Sequence, residues 1–127
     1  MNVFLIDDDS DLRMLYRRLL ELTDSNIHII GEADNARDGV IQCSAYTPDI
    51  ILMDISMPGM KAADAIPLIK HAAPGSKLVI LSSYQRELFE DEMLGAGADA
   101  YLEKGIATKD LIKFCYAITE EPARIAV

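Results

Sequence analysis

The sequence predicts a three-layer, doubly wound α/β fold on a five-stranded parallel sheet, and three observations carry that reading. Short apolar runs recur along the chain: VFLI at 3–6, IHII at 27–30, DIILMDI at 49–55, KLVILSS at 77–83 and AYLEK at 100–104. They are continuous rather than alternating, which suits strands covered on both faces. Segments of helical period lie between them, so β and α elements alternate and right-handed crossovers follow.

The first run ends in Asp7, Asp8 and Asp9. Ser10 is the expected N-cap of the helix that follows, with Asp9 a cap or first-turn acid rather than a ligand. Leu12, Leu15, Leu19 and Leu22 form one stripe of that helix, leaving Arg13, Arg17, Arg18 and Glu21 for solvent or for a docking partner. Further helices are expected over 36–46, 64–73, 86–96 and 108–120. Pro67 lacks the N–H that a helix interior needs, so the third helix should begin only a few residues before it, after a long loop.

At 127 residues the chain has the size of one domain, placed at 1–120, with 121–127 as a C-terminal tail where a linker to an output domain would start. Half of the residues are hydrophobic, which puts the chain in the globular class rather than the disordered one. The formal net charge of -9 argues against direct nucleic-acid binding, because phosphate contact needs a basic surface. No run approaches the roughly 18 apolar residues of a membrane span. The segment before the first carboxylates is too short for a secretory signal, so a cytoplasmic location is expected. Cys43 and Cys115 have no metal-ligand spacing and are expected to be reduced thiols.

In sheets of this kind ligands bind beyond the carboxyl ends of the strands, where the strand order reverses. Asp7 and Asp8 end the first run, Asp54 the third, Ser82 the fourth and Lys104 the fifth. With strand order 2-1-3-4-5 the first and third strands are neighbours, and these residues converge. Clustered carboxylates repel one another and raise each other's pKa, so a cation is needed among them. Hard oxygen donors without His or Cys favour Mg²⁺. Asp8 and Asp54 would be direct ligands, Asp7 would act through water, and the backbone carbonyl of Ser56 would complete the set.

LIDDD at the acidic pair, LMDISMPGM around Asp54, ILSS at the hydroxyl and GADAYLEK at the aromatic and the lysine resemble, in order and spacing, the receiver domain of two-component response regulators. The likeness spans about residues 1 to 120 and implies the CheY-like, flavodoxin-like form of the fold. It implies that Asp54 accepts a phosphoryl group from a sensor histidine kinase or histidine phosphotransfer protein, with Mg²⁺, Lys104 and the Ser82 hydroxyl neutralising the transferring oxygens. The chain would then catalyse only its own aspartyl phosphorylation and dephosphorylation.

The same resemblance makes Ser82 and Tyr101 a switch: Ser82 is drawn to the phosphoryl group and Tyr101 turns inward. The face of the fourth helix, fifth strand and fifth helix would then meet an output partner or effector domain. Ser56 and Tyr84 stand where the family tunes hydrolysis, and without a carboxylate or amide there slow self-dephosphorylation is expected. Gly105 replaces the proline that many receivers carry after the lysine, which implies a looser loop around Lys104. Ala62 stands where the family often has glycine. A rival from another class is a haloacid-dehalogenase-type phosphatase, with Asp7 as nucleophile and Asp9 as acid/base. Its further acidic pair has only Glu120 and Glu121 to supply it, in a terminal helix of the wrong kind.

Overall fold

The computed structural model describes residues 1–121; the expected tail beyond 121 lies outside the described residues. Strands β1 (Asn2–Ile6), β2 (His28–Ala33), β3 (Ile50–Met53), β4 (Lys77–Ser82) and β5 (Ala100–Glu103) alternate with helices α1 (Ser10–Thr23), α2 (Ala36–Tyr46), α3 (Ala62–Ala72), α4 (Arg86–Ala96) and α5 (Thr108–Thr119). The sheet has the order β2-β1-β3-β4-β5, and every pairing is parallel. This is the expected doubly wound fold. Among the described residues no helix is long and apolar enough to cross a membrane.

The continuous apolar runs reflect two cores, fed by successive residues of each strand. Phe4, Ile6, Ile51, Met53, Leu78, Ile80 and Tyr101 belong to one core. Val3, Leu5, Ile50, Leu52, Val79, Leu81 and Leu102 belong to the other, with residues of α1 and α5. Both faces of the central strands are therefore dry. Truncating a ring such as Phe4, which is 0% exposed, would cost about 3–5 kcal/mol. Phe4 also explains Gly31: a Cβ there would sit 2.5 Å from the ring, at the bulge where the β1–β2 register shifts.

A buried ion pair ties the opposite end of the sheet. Lys70 Nζ lies 2.7 Å from Asp99 Oδ2 and donates to the Ser76 carbonyl at 2.9 Å, while the same Asp99 oxygen accepts the Leu78 N–H at 2.8 Å. Each buried charge is thus paired and hydrogen-bonded, the condition under which burial is tolerated.

Three local expectations are corrected. The N-cap of α1 is Asp9, not Ser10: its carboxylate accepts the N–H groups of Asp11 and Leu12 at 3.0 and 3.1 Å. The helix is also rotated from the expected stripe, since Leu15, Leu19 and Leu22 are 49%, 37% and 85% exposed whereas Leu20 is 2% exposed. Arg13 and Arg17 turn instead toward Glu32 on β2, at 3.1 and 2.9 Å. Positions 13, 16, 17 and 20 form the inward stripe, with Leu20 and Tyr16 against the core and the two arginines on Glu32. Finally, α3 starts at Ala62 and carries Pro67 inside it. The proline is exposed, so its ring meets solvent rather than the core.

Candidate functional site

Backbone hydrogen bonds place the residues at the carboxyl rim of the sheet. Each follows the last residue of its strand or lies at that strand's end. The Asp7 N–H donates to Ala33 at the end of β2 at 3.1 Å, the Asp54 N–H to Ile6 at the end of β1 at 2.9 Å, and the Lys104 N–H to Ser82 at the end of β4 at 2.7 Å. The ladder thereby fixes the main chain from which three functional side chains leave.

Those side chains meet. Lys104 Nζ lies 3.0 Å from Asp7 Oδ2 and 3.3 Å from Asp54 Oδ1. Asp7 Oδ1 accepts the Asp9 N–H at 3.0 Å, which folds the acidic turn back on itself. Carboxylate oxygens of Asp7, Asp8 and Asp54 all lie within 4.8 Å of one another. Asp54 is 6% exposed, whereas Asp8 is open to solvent.

The charges do not balance. Three carboxylates gather around one ammonium at a half-sheltered rim, with the Arg13 guanidinium engaged by Glu32 beside it. Burial raises the Asp54 pKa, with Lys104 pulling it down and Asp7 pushing it up. Burial acts to lower the Lys104 pKa, but its bond to Asp7 and the charges of Asp54 and Asp7 outweigh that and raise it. Lys104 is thus a firm cation. The remaining charge and the all-oxygen donor set fit Mg²⁺, which binds through few carboxylates and keeps several waters. Ser56 is exposed two residues past Asp54, and among the described residues its carbonyl accepts no hydrogen bond.

Ser82 is fully buried at the end of β4, and its hydroxyl accepts the Tyr84 N–H at 3.0 Å. Tyr101 donates its hydroxyl to the Tyr84 carbonyl at 2.9 Å. The Tyr101 ring is 2% exposed and already inside the core, because its register opposite Ile80 points it to that face. It does not wait at an outer position. Tyr84 is 42% exposed and leans edge-on against Phe89, with centroids 5.0 Å apart. Gly105 holds a positive φ of 99°, a conformation glycine adopts without a Cβ penalty.

Two residues at the site were not singled out for it from sequence. Arg13 donates to the Asp7 carbonyl, and Tyr16 lies beside Asp7 and Asp54 against the same small hollow. Burial raises the Tyr16 pKa, with Lys104 opposing and Asp7 adding. Arg13, expected to face solvent or a docking partner, instead turns to the Asp7 carbonyl; its place in the first turn of α1, just after the acidic turn, is the signal the sequence offers. The rival assignment of Asp9 as an acid/base is not favoured, since capping α1 occupies its carboxylate.

Comparison with known proteins shows the family. The family model for the response regulator receiver domain matches residues 3–115. The chain is 33% identical over 112 residues to the response regulator UvrY of Escherichia coli (strain K12), covering 88% of this chain and 51% of that protein. It is 32% identical over 102 residues to the chemotaxis protein CheY of Thermotoga maritima, covering 80% and 83% of the two chains. A solved two-component response regulator of the LuxR family from Aurantimonas sp. SI85-9A1 superposes with a TM-score of 0.86 at 26% identity, covering 98% of this chain and 89% of that one. The chain spans about half the length of UvrY and of the nitrate/nitrite response regulator NarL of Escherichia coli, of which it covers 51%. The chain belongs to the response regulator receiver domain family of two-component systems.

Proposed function

We propose that this domain is a phosphoryl-accepting switch in which Asp54 takes a phosphoryl group from a phosphohistidine on a sensor histidine kinase or histidine phosphotransfer protein. The observation that carries the reading is the position of the Lys104 ammonium between Asp7 and Asp54. An Asp54 oxygen attacks phosphorus, the phosphorus–nitrogen bond breaks, and the imidazole keeps the electron pair as the acyl phosphate forms. Burial at the rim strengthens every charge interaction there. Lys104 stands ready to exchange its carboxylate contacts for a phosphoryl oxygen, and the Ser82 hydroxyl and nearby N–H groups would take another.

Mg²⁺, when bound, would neutralise charge that develops on the phosphoryl oxygens. Asp8 and Asp54 would hold it directly, Asp7 through water and Ser56 through its carbonyl. Ser82 and Tyr101 then read the modification. Both hold the main chain of Tyr84, so drawing Ser82 toward a phosphoryl group would release the Tyr84 N–H and shift the loop into α4. The output face is the one formed by α4, β5 and α5, where Leu88 is 64% exposed. Self-dephosphorylation is slow, because neither Ser56 nor Tyr84 supplies a carboxylate or amide to orient water. The location is cytoplasmic, with the kinase.

The discriminating experiment exposes the domain to excess acetyl phosphate with Mg²⁺, and separately to p-nitrophenyl phosphate. The reading predicts labelling that stops at one phosphoryl group per chain and is abolished by EDTA. Steady turnover of p-nitrophenyl phosphate without a labelled chain would overturn it.

A further inference from the structure

Helix α1 turns a charged stripe inward, and the charges form a chain of contacts that ends at the acidic turn. Arg13 Nη1 donates to the Asp7 carbonyl, and Arg13 Nε donates to Glu32 Oε1 at 3.1 Å. The second oxygen of Glu32 accepts Arg17 Nε at 2.9 Å. Glu32 stands opposite Leu5 in the β1–β2 register, so this chain of contacts joins α1, β1 and β2. Arg13 is 17% and Glu32 28% exposed at the side chain, which shields the pair from water.

We propose that Arg13 is a positioning residue for the cation site: through the Asp7 carbonyl it fixes the peptide plane that leads into Asp8, with Glu32 and Arg17 as its anchor. The inference rests on the cation-assisted reading of the site given above. The other handles of the turn are already in use. The Asp7 N–H is spent on Ala33 and Asp7 Oδ1 on the Asp9 N–H, so the carbonyl of Asp7 is what orients the next peptide. Only a forked guanidinium can hold that carbonyl and Glu32 together in fixed geometry; an ammonium is a single point charge.

Charge alone would act in the opposite sense. A cation beside the site repels Mg²⁺, so simply deleting Arg13 mixes a gain from lost repulsion with a loss from lost positioning. Arg13→Lys separates the two because it keeps the charge and removes the fork. Groups behind metal ligands typically govern affinity by 10–100-fold, so Arg13→Lys should weaken Mg²⁺ binding about tenfold.

The test is calorimetric titration of the intact chain with Mg²⁺, together with amide NMR spectra of the Mg²⁺-free protein. Arg13→Lys should lose about tenfold in affinity and shift the Asp8 and Asp9 amides, with its melting temperature in EDTA little changed. Glu32→Ala supplies a second route that removes the anchor without touching the turn; because it also deletes a negative charge, which by itself weakens Mg²⁺ binding, its readout is the Mg²⁺-free amide spectrum, where the Asp8 and Asp9 amides should shift. With wild-type binding intact, unchanged or tighter Mg²⁺ binding by Arg13→Lys, or unmoved Asp8 and Asp9 amides in both variants, overturns the inference alone. A wild type that does not bind Mg²⁺ overturns the cation reading and this inference with it.

Discussion

The hydroxyl of Tyr101 donates to the main-chain carbonyl of Tyr84 at 2.9 Å, joining β5 to the loop that leads into α4. Tyr84 is held at its N–H as well, by the Ser82 hydroxyl. A buried phenol and a buried hydroxyl therefore grip the two main-chain polar groups of one exposed residue. Tyr101→Phe removes one grip and keeps the ring. The loss should be about 1 kcal/mol of unfolding free energy, with faster exchange of the loop amides. Urea unfolding that shows no loss would remove the bond from the account.

The raised Asp54 pKa gives a pH dependence with a definite sign. A carboxyl whose folded pKa lies above its unfolded value binds a proton more readily in the folded state. Stability then falls as pH rises from the unfolded carboxylate range to the folded pKa, and stays lower above it. Asp54→Asn removes that cost. In the absence of Mg²⁺ the variant should melt above the wild type at neutral pH, with the gap closing in acid. An equal or lower melting temperature at neutral pH would contradict burial as the dominant influence on Asp54.

Lys104→Met deletes the ammonium with little change in shape. Lys104 is the largest influence lowering the Asp54 pKa, so its loss raises that pKa further and leaves the phosphoryl oxygens less stabilised. Labelling by acetyl phosphate should slow about a hundredfold or more, the scale on which one preorganised donor acts. An unchanged labelling rate would separate Lys104 from the chemistry.

Tyr84 bears on the lifetime of the phosphorylated state. It stands in the loop after Ser82, and its exposed ring leans on Phe89. Tyr84→Ala should open a path for water and shorten the life of the acyl phosphate, followed by loss of label after the donor is removed. An unchanged lifetime would show that Tyr84 does not restrict access.

Much of this was legible in the sequence, for a local reason. An apolar run that stops at a polar residue marks the end of a buried strand, so Asp7, Asp54, Ser82 and Lys104 announced the rim before any tertiary contact was known. The rotation of α1 was not legible. Leu12, Leu15, Leu19 and Leu22 form one helical stripe, and positions 13, 16, 17 and 20 form another that overlaps it. Partners on other elements, Glu32 for the arginines and the core for Leu20 and Tyr16, distinguish them, and helical period carries no information about those partners. The cap was ambiguous because Asp9 and Ser10 are both good capping residues in adjacent positions. Pro67 located the start of α3 to within two residues, at Ala62 against the expected 64.

The most direct test is to map the modified residue by peptide mass spectrometry after treatment with acetyl phosphate and Mg²⁺. The account predicts a single acyl phosphate on the peptide that contains Asp54, absent from Asp54→Asn. A phosphoryl group found on Asp7, or normal labelling of Asp54→Asn, would contradict it.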